Sequence, residues 1–176
     1  CDDSDATLGA IANDGDCDGT LTADDCDDND DQVYPFAGDT YGDGSDDDCD
    51  NMDCEAGYSG STYFAVCPDN KNYAQADSAC LTAGYDGAAT ILSATENSAV
   101  EALMVSASSD FAYIGYTDLD TEGTFVWADG STSTYENWAT AEPNGGDPNT
   151  GNPLIDCTSI QSNLSYEWND AFCTLT

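Results

Sequence analysis

The chain contains no histidine and no arginine, and its one basic side chain is Lys71. Without His there is no imidazole for acid–base chemistry, for a Ser/His or Cys/His nucleophile, or for zinc. Without Arg there is no arginine finger. Nucleic acid is excluded as a partner, because no cations are available to replace phosphate counterions. No apolar run is long enough to cross a bilayer, so no transmembrane segment is expected. What fills the sequence is acid: 36 Asp and Glu give a formal net charge of -35 over 176 residues. A hydrophobic share of 40% with 10% aromatics still provides for a packed core, which argues against disorder throughout.

Nine cysteines with no C-x-x-C pair read as a disulfide framework formed in an oxidising, extracellular setting. A signal peptide would precede Cys1, so the sequence reads as a mature or excerpted chain. Cys1-Asp2-Asp3-Ser4-Asp5 returns as Cys26-Asp27-Asp28-Asn29-Asp30, a period of 25, as if the chain began inside a repeat. That argues against a lipid-modified Cys1.

Composition divides the chain near Asp53–Cys54. Residues 1–54 carry 19 acids, all Asp, while the other 17 are spread over residues 55–176 together with all three Trp. The expected domains are therefore an Asp-rich region, 1–53, and a patterned region, 54–176. The first has too few apolar side chains to order itself by burial alone.

Asp14-Gly15-Asp16-Cys17-Asp18-Gly19-Thr20-Leu21-Thr22-Ala23-Asp24-Asp25 has the spacing of a twelve-residue EF-hand-type loop. Alternate residues of a tight loop turn their oxygens toward a common centre, and Gly19 permits the sharp bend. Asp14, Asp16, Asp18, the Thr20 carbonyl and Asp25 are the candidate ligands, with the shorter Asp25 where Glu is usual. Asp27, Asp28 and Asp30 follow, and Asp43, Asp46, Asp48 and Asp50 form a second cluster of the same chemistry. The stretch from Asp14 to Asp50 resembles the MopE-type metal-binding repeat of secreted bacterial proteins. The matching elements are D-C-D-G at 16–19, D-C-D-D at 25–28, Val33-Tyr34-Pro35, and D-G-x-D-x-D-C-D at 43–50. Thrombospondin type 3 repeats look similar in kind. Some MopE-type proteins are linked to copper, but an oxygen-only inventory favours a hard cation, and Ca2+ is expected. The competing reading is a solvated acidic tail.

The second region predicts helices from Tyr73 to about Ala83, with Ala74, Ala76, Ala79 and Cys80 facing inward, and from about Ala94 to Ser106, capped by Ser93 or Thr95. Strands are expected at 111–116, 124–127, 154–160 and 166–168. Four motifs then occur in order. They are Tyr113-Ile114-Gly115, the run from Phe125-Val126-Trp127 through Asn137-Trp138, Glu142-Pro143-Asn144, and Trp168-Asn169-Asp170 before Cys173. Interleaved with Cys80, Cys157 and Cys173, they resemble the C-type lectin domain over almost all of 54–176. The fold this implies is α+β, with two helices, small antiparallel sheets and a long calcium loop, preceded here by an irregular calcium-stapled segment.

The resemblance implies that Glu142, Asn144, Asn169 and Asp170 hold calcium and sugar together, with a cis bond at Pro143. A Glu–Asn pair in the first motif goes with mannose-type sugars. There are departures: Ile155 stands where the family has a Glu, and Asp147 or Asn152 is the available substitute. Asp118, Glu122 and Asp156 match an auxiliary calcium site whose further acid is Gly145 here. The resemblance also pairs Cys54 with Cys67 and Cys157 with Cys173. Cys1 with Cys17 and Cys26 with Cys49 is one pairing open to the acidic region, among others. This leaves Cys80 outside the intrachain pairing, open to an intermolecular bond. Trp127, Trp138 and Trp168 read as core, and Asn163-Leu164-Ser165 is the sole glycosylation sequon.

The expected function is a calcium-dependent, mannose-type carbohydrate-binding adhesion module, extracellular or on a cell surface, bacterial, and not an enzyme. Its partners are glycans. The alternative is a structural subunit in which copies assemble head to tail into a fibre or surface matrix.

Overall fold

Side chains of Asp, rather than apolar ones, organise the acidic region. In the computed structural model, which describes residues 13–145 and 155–175, successive carboxylates accept the backbone N–H two or three residues on. Asp14 takes Cys17, Asp18 takes Thr20 at 2.6 Å, Asp25 takes Asp27, Asp43 takes Ser45 and Asp50 takes Met52. The chain divides into two compact units, Cys1–Cys67 and Pro68–Thr176. The opening hairpin, expected with the lectin-like region, falls in the acidic unit.

Three features of the first unit explain that grouping. Asp39, 3% exposed, accepts the N–H groups of Thr40, Asp47 and Cys54. Strands β1 (Glu55–Ser59) and β2 (Thr62–Val66) pair antiparallel, and Tyr63 of β2 donates its hydroxyl to Asp48 Oδ2 at 2.7 Å and lies against the Ala37 carbonyl. Its ring packs edge-on against Phe36 and Tyr58. Disulfides join Cys26 to Cys49 and Cys54 to Cys67, and Cys17 is also disulfide-bonded. Closing loops of this size is worth about 3 kcal/mol each. The Cys1–Cys17 pairing turns on Cys1, which lies outside the described residues, as do Asp147 and Asn152.

The second unit is built on two capped helices and one sheet. Helix α1 (Tyr73–Ala83) starts at Asn72, whose side chain accepts the Gln75 N–H while Gln75 returns the bond, and it stops at Gly84, φ 100°. Its inward stripe is Tyr73, Ala76, Asp77 and Cys80; Ala74, expected inside, is exposed. Cys80 is half-buried and is a thiol rather than a half-cystine. Helix α2 (Ala94–Ser106) is capped by Ser93 and buries Asn97, Val100 and Met104.

Strands β3 (Phe111–Thr117), β4 (Val126–Trp127), β5 (Cys157–Gln161) and β6 (Glu167–Ala171) form an antiparallel sheet in the order β4-β3-β5-β6. Ile91, Val100, Met104, Ile114, Ile160, Trp127 and Trp168 fill the core, none more than 3% exposed. Gly115 is required by proximity: a Cβ there would lie 2.7 Å from the Ala88 carbonyl oxygen. Its N–H bonds Ala89 at 2.8 Å, which draws the 88–91 segment onto β3. The α+β class, two helices and small antiparallel sheets are as the sequence predicts. Strand ends differ. Ser165 and Tyr166 have φ of 59° and 60°, so the chain turns there and β6 starts one residue later, running on through Asn169 and Asp170. Cys157 and Cys173 are bonded as expected.

Candidate functional site

The Glu142 turn is pinned to β6 by backbone bonds. Trp168 N–H donates to Asn137, Ala139 N–H to Trp168 and Glu142 N–H to Ala139, at 2.8, 2.8 and 3.0 Å. Trp168 is held from the other side by Asn97, whose Oδ1 accepts its indole N–H at 2.7 Å. Because β6 alternates, Trp168 is buried, Asn169 half-buried and Asp170 4% exposed. The Glu142–Pro143 bond is cis.

This framework brings Glu142, Asn144 and Asp170 together. Burial, and then a hydrogen bond that the protonated Glu142 donates to Asp170 and repulsion from that carboxylate, push Glu142 up to about 7. The Asn144 backbone and side-chain N–H groups donate to the same Glu142 carboxylate at 3.1 and 2.6 Å. Asn169, the remaining predicted member, turns its amide to the Asp170 carbonyl at 2.6 Å. Gly145 N–H donates to Asp170 Oδ2.

A second cluster adjoins it. Asp118, 2% exposed, accepts Gly123 N–H on one oxygen, and its backbone N–H bonds Asp156 at 3.1 Å. Burial raises the pKa of Glu122, with Asp118, Asp156 and Asp170 adding repulsion, and raises Asp156 next to Asp118. Buried oxygens of Asp118, Glu122 and Asp170 have no hydrogen-bond partner among the described residues. Like charges crowded around unpartnered oxygens suit a bound hard cation, and the donor set is oxygen throughout. Gly145 and Ile155 occupy the two positions where the resemblance implies acids.

In the acidic unit, Asp14, Asp16 and Asp18 offer carboxylate oxygens within 4.8 Å of one another, and Asp46, Asp48 and Asp50 do the same. Asp25 is not in that group, but it lies close enough to Asp16 to repel its carboxylate. Burial raises Asp16, with Asp18, Asp25 and Asp14 adding repulsion, and Asp16, Asp18 and Asp25 each keep a buried oxygen without a hydrogen-bond partner among the described residues. The remaining predicted ligands make hydrogen bonds of their own. Thr20 N–H donates to Asp18, and Asp28 accepts Gly15 N–H at 2.7 Å and the Thr22 hydroxyl. Asp27 and Asp30 are exposed and accept Asn29 and Gln32, and exposed Asp43 accepts Ser45.

Asn97, Asp39 and the Tyr63–Asp48 bond escaped the sequence reading. A helical Asn on an otherwise apolar face was the available signal for the first. The other two join residues distant in sequence and carry no local signature.

Trp127 and Trp168 are buried and Trp138 is half-buried against Tyr116, Phe125 and Trp168, so the tryptophans serve the core, as expected. No helix among the described residues is long and apolar enough to cross a membrane.

Known proteins are similar to this chain in sequence and fold. The pulmonary surfactant-associated protein D of Sus scrofa is 34% identical over 114 residues, 65% of this chain and 29% of that protein. The alpha-N-acetylgalactosamine-specific lectin of Patiria pectinifera is 32% identical over 120 residues, 64% of this chain and 66% of that lectin. The low affinity immunoglobulin epsilon Fc receptor of Mus musculus is 47% identical over 62 residues, 35% of this chain and 17% of the receptor. The chain thus spans less than two thirds of the length of these relatives. Among solved structures, human lithostathine has the same fold at 20% identity, with a TM-score of 0.60 over 68% of this chain and 89% of that one. The herring type II antifreeze protein aligns at 27% identity with a TM-score of 0.51, over 59% and 76%. The family model for the lectin C-type domain matches residues 69–176, and the chain belongs to the C-type lectin family.

Proposed function

We propose that this chain is an extracellular carbohydrate-binding module whose sugar contact depends on calcium held by Glu142, Asn144, Asn169 and Asp170. The observation that carries the reading is the meeting of Glu142, Asn144 and Asp170, with a buried Asp170 oxygen that has no hydrogen-bond partner among the described residues. When bound, calcium supplies a Lewis-acid position for two vicinal hydroxyls of a sugar. Glu142 offers acceptor oxygens and Asn144 donor N–H groups toward the same hydroxyls, a pairing suited to mannose-type sugars. Burial of Asp170 fixes one wall of the site, and the Asn137–Ala139 bonds to Trp168 hold the other.

Asp118, Glu122 and Asp156 are proposed to hold an auxiliary ion. Asp14, Asp16, Asp18 and Asp25, and separately Asp46, Asp48 and Asp50, are proposed to hold ions that order the acidic unit, in the manner of the MopE-type repeat. The alpha-N-acetylgalactosamine-specific lectin of Patiria pectinifera supports a glycan as the ligand. Three described disulfides support an oxidising, extracellular setting. Head-to-tail assembly draws no support from any described residue. Retention on yeast mannan and across a glycan array, in calcium and in chelator, tests the proposal. Retention only in calcium is expected, and retention indifferent to chelator would defeat it.

A further inference from the structure

We propose that Gly145 is a positioning residue for the Glu142–Asp170 site, and that Ile155 is what makes glycine obligatory there. The inference rests on the calcium reading above. Gly145 N–H donates to Asp170 Oδ2, which orients a carboxylate already 4% exposed and presents its other oxygen, Oδ1, without a hydrogen-bond partner among the described residues. A charge-assisted bond from a fixed amide is a strong orienting contact. The space around the Gly145 Cα is closed on two sides. A Cβ built there would lie 2.5 Å from Ile155 Cγ2, 2.7 Å from Ile155 Cβ and 2.7 Å from Asp170 Oδ2.

Those contacts decide which group yields. Ile155 is branched at the atom in question, so rotation about χ1 cannot clear its own Cβ. The carboxylate end of Asp170 is the movable neighbour. A methyl at 145 therefore drives Asp170 away from the amide that orients it. One backbone N–H and one apolar wall thus occupy the two positions where the resemblance implies acids. The two adjoining sites give up one negative charge each, and Asp170 is kept aligned by a neutral donor.

The test is a double-mutant cycle on the full chain, using calcium alone as the probe and the Asn169 side-chain amide resonances as the readout. In the wild-type background, Gly145→Ala raises the half-saturating calcium at Asn169 about tenfold or more, the loss expected for one charge-assisted bond. In the Ile155→Gly background the same change costs less than about threefold, because residue 145 moves into the vacated space and leaves Asp170 in place. Equal weakening in both backgrounds, or none in the first, overturns the proposal. The Trp168 indole resonance, set by its bond to Asn97, reports the surrounding fold. Its loss in Gly145→Ala also counts against a proposal that confines the damage to Asp170. Mannan retention is read in parallel. A wild type that binds calcium at Asn169 but ignores mannan defeats the glycan reading and leaves Gly145 in its role. Mannan retention with identical calcium requirements in wild type and Gly145→Ala does the reverse. A wild-type Asn169 amide indifferent to calcium defeats both.

Discussion

Asn97→Ala removes the acceptor of a bond that ties α2 to the strand carrying Asn169 and Asp170. Asn97 is 6% exposed, Trp168 is fully buried, and the bond between them measures 2.7 Å. Truncation leaves an indole N–H in a dry core, at a cost of about 1–3 kcal/mol for the unpaired donor. The vacated amide leaves a small cavity that adds to that cost. A total of about 2–3 kcal/mol is expected. For a unit spanning Pro68–Thr176, each kcal/mol lowers Tm by about 4 °C, so the midpoint should fall by roughly 8–12 °C. Tryptophan fluorescence is the suitable probe, because Trp127, Trp138 and Trp168 all lie in that unit. A shift below about 2 °C would refute the claim that this bond anchors β6. A shift of the expected size with an unchanged calcium requirement would show that the bond supports the core without placing Asp170.

Calcium removal should loosen the acidic unit far more than the lectin fold. Repulsion among its Asp side chains is screened only over about 8 Å, and an ion at a hundredfold its Kd contributes about 2.7 kcal/mol. Proteolysis of residues 13–53 should therefore quicken by about a hundredfold in chelator, and an unchanged rate would contradict the metal reading. Glu142→Gln and Asn169→Ala should each weaken calcium-dependent mannan retention by roughly a hundredfold, or about 3 kcal/mol. The melting of the lectin unit should stay intact in both. Burial, and then Asp77, push Tyr73 up to about 12. The folded state holds this proton more tightly than the unfolded chain does. The stability involved is therefore complete below pH about 10 and is lost as pH rises through about 12. Phenolate absorbance should show a late-titrating class that includes Tyr63, Tyr113, Tyr116 and Tyr135, and all ten tyrosines ionising together near pH 10 would contradict it.

Local signals in the sequence were readable where the physics is local. Asn72 and Ser93 cap their helices within three residues, so the spans 73–83 and 94–106 follow from spacing. The Asp14–Asp25 register is likewise a property of twelve consecutive residues. Strand β6 was misjudged at both ends because a left-handed turn at Ser165–Tyr166 has no Gly or Asn to announce it. The place of the opening hairpin was hidden for a different reason. Tyr63 reaches Asp48 and Cys54 N–H reaches Asp39, contacts that only the folded chain creates. At the site, the motifs name Glu142, Asn144, Asn169 and Asp170, but the Gly145 amide and the Ile155 wall leave no pattern beyond two missing acids.

Retention of the full chain on immobilised yeast mannan, in calcium, after chelation and after calcium is restored, tests the central claim most directly. The account predicts binding that is lost in chelator and returns with calcium, and that is absent in Glu142→Gln. Binding that persists in chelator, or none to mannan or any arrayed glycan in calcium, would contradict it.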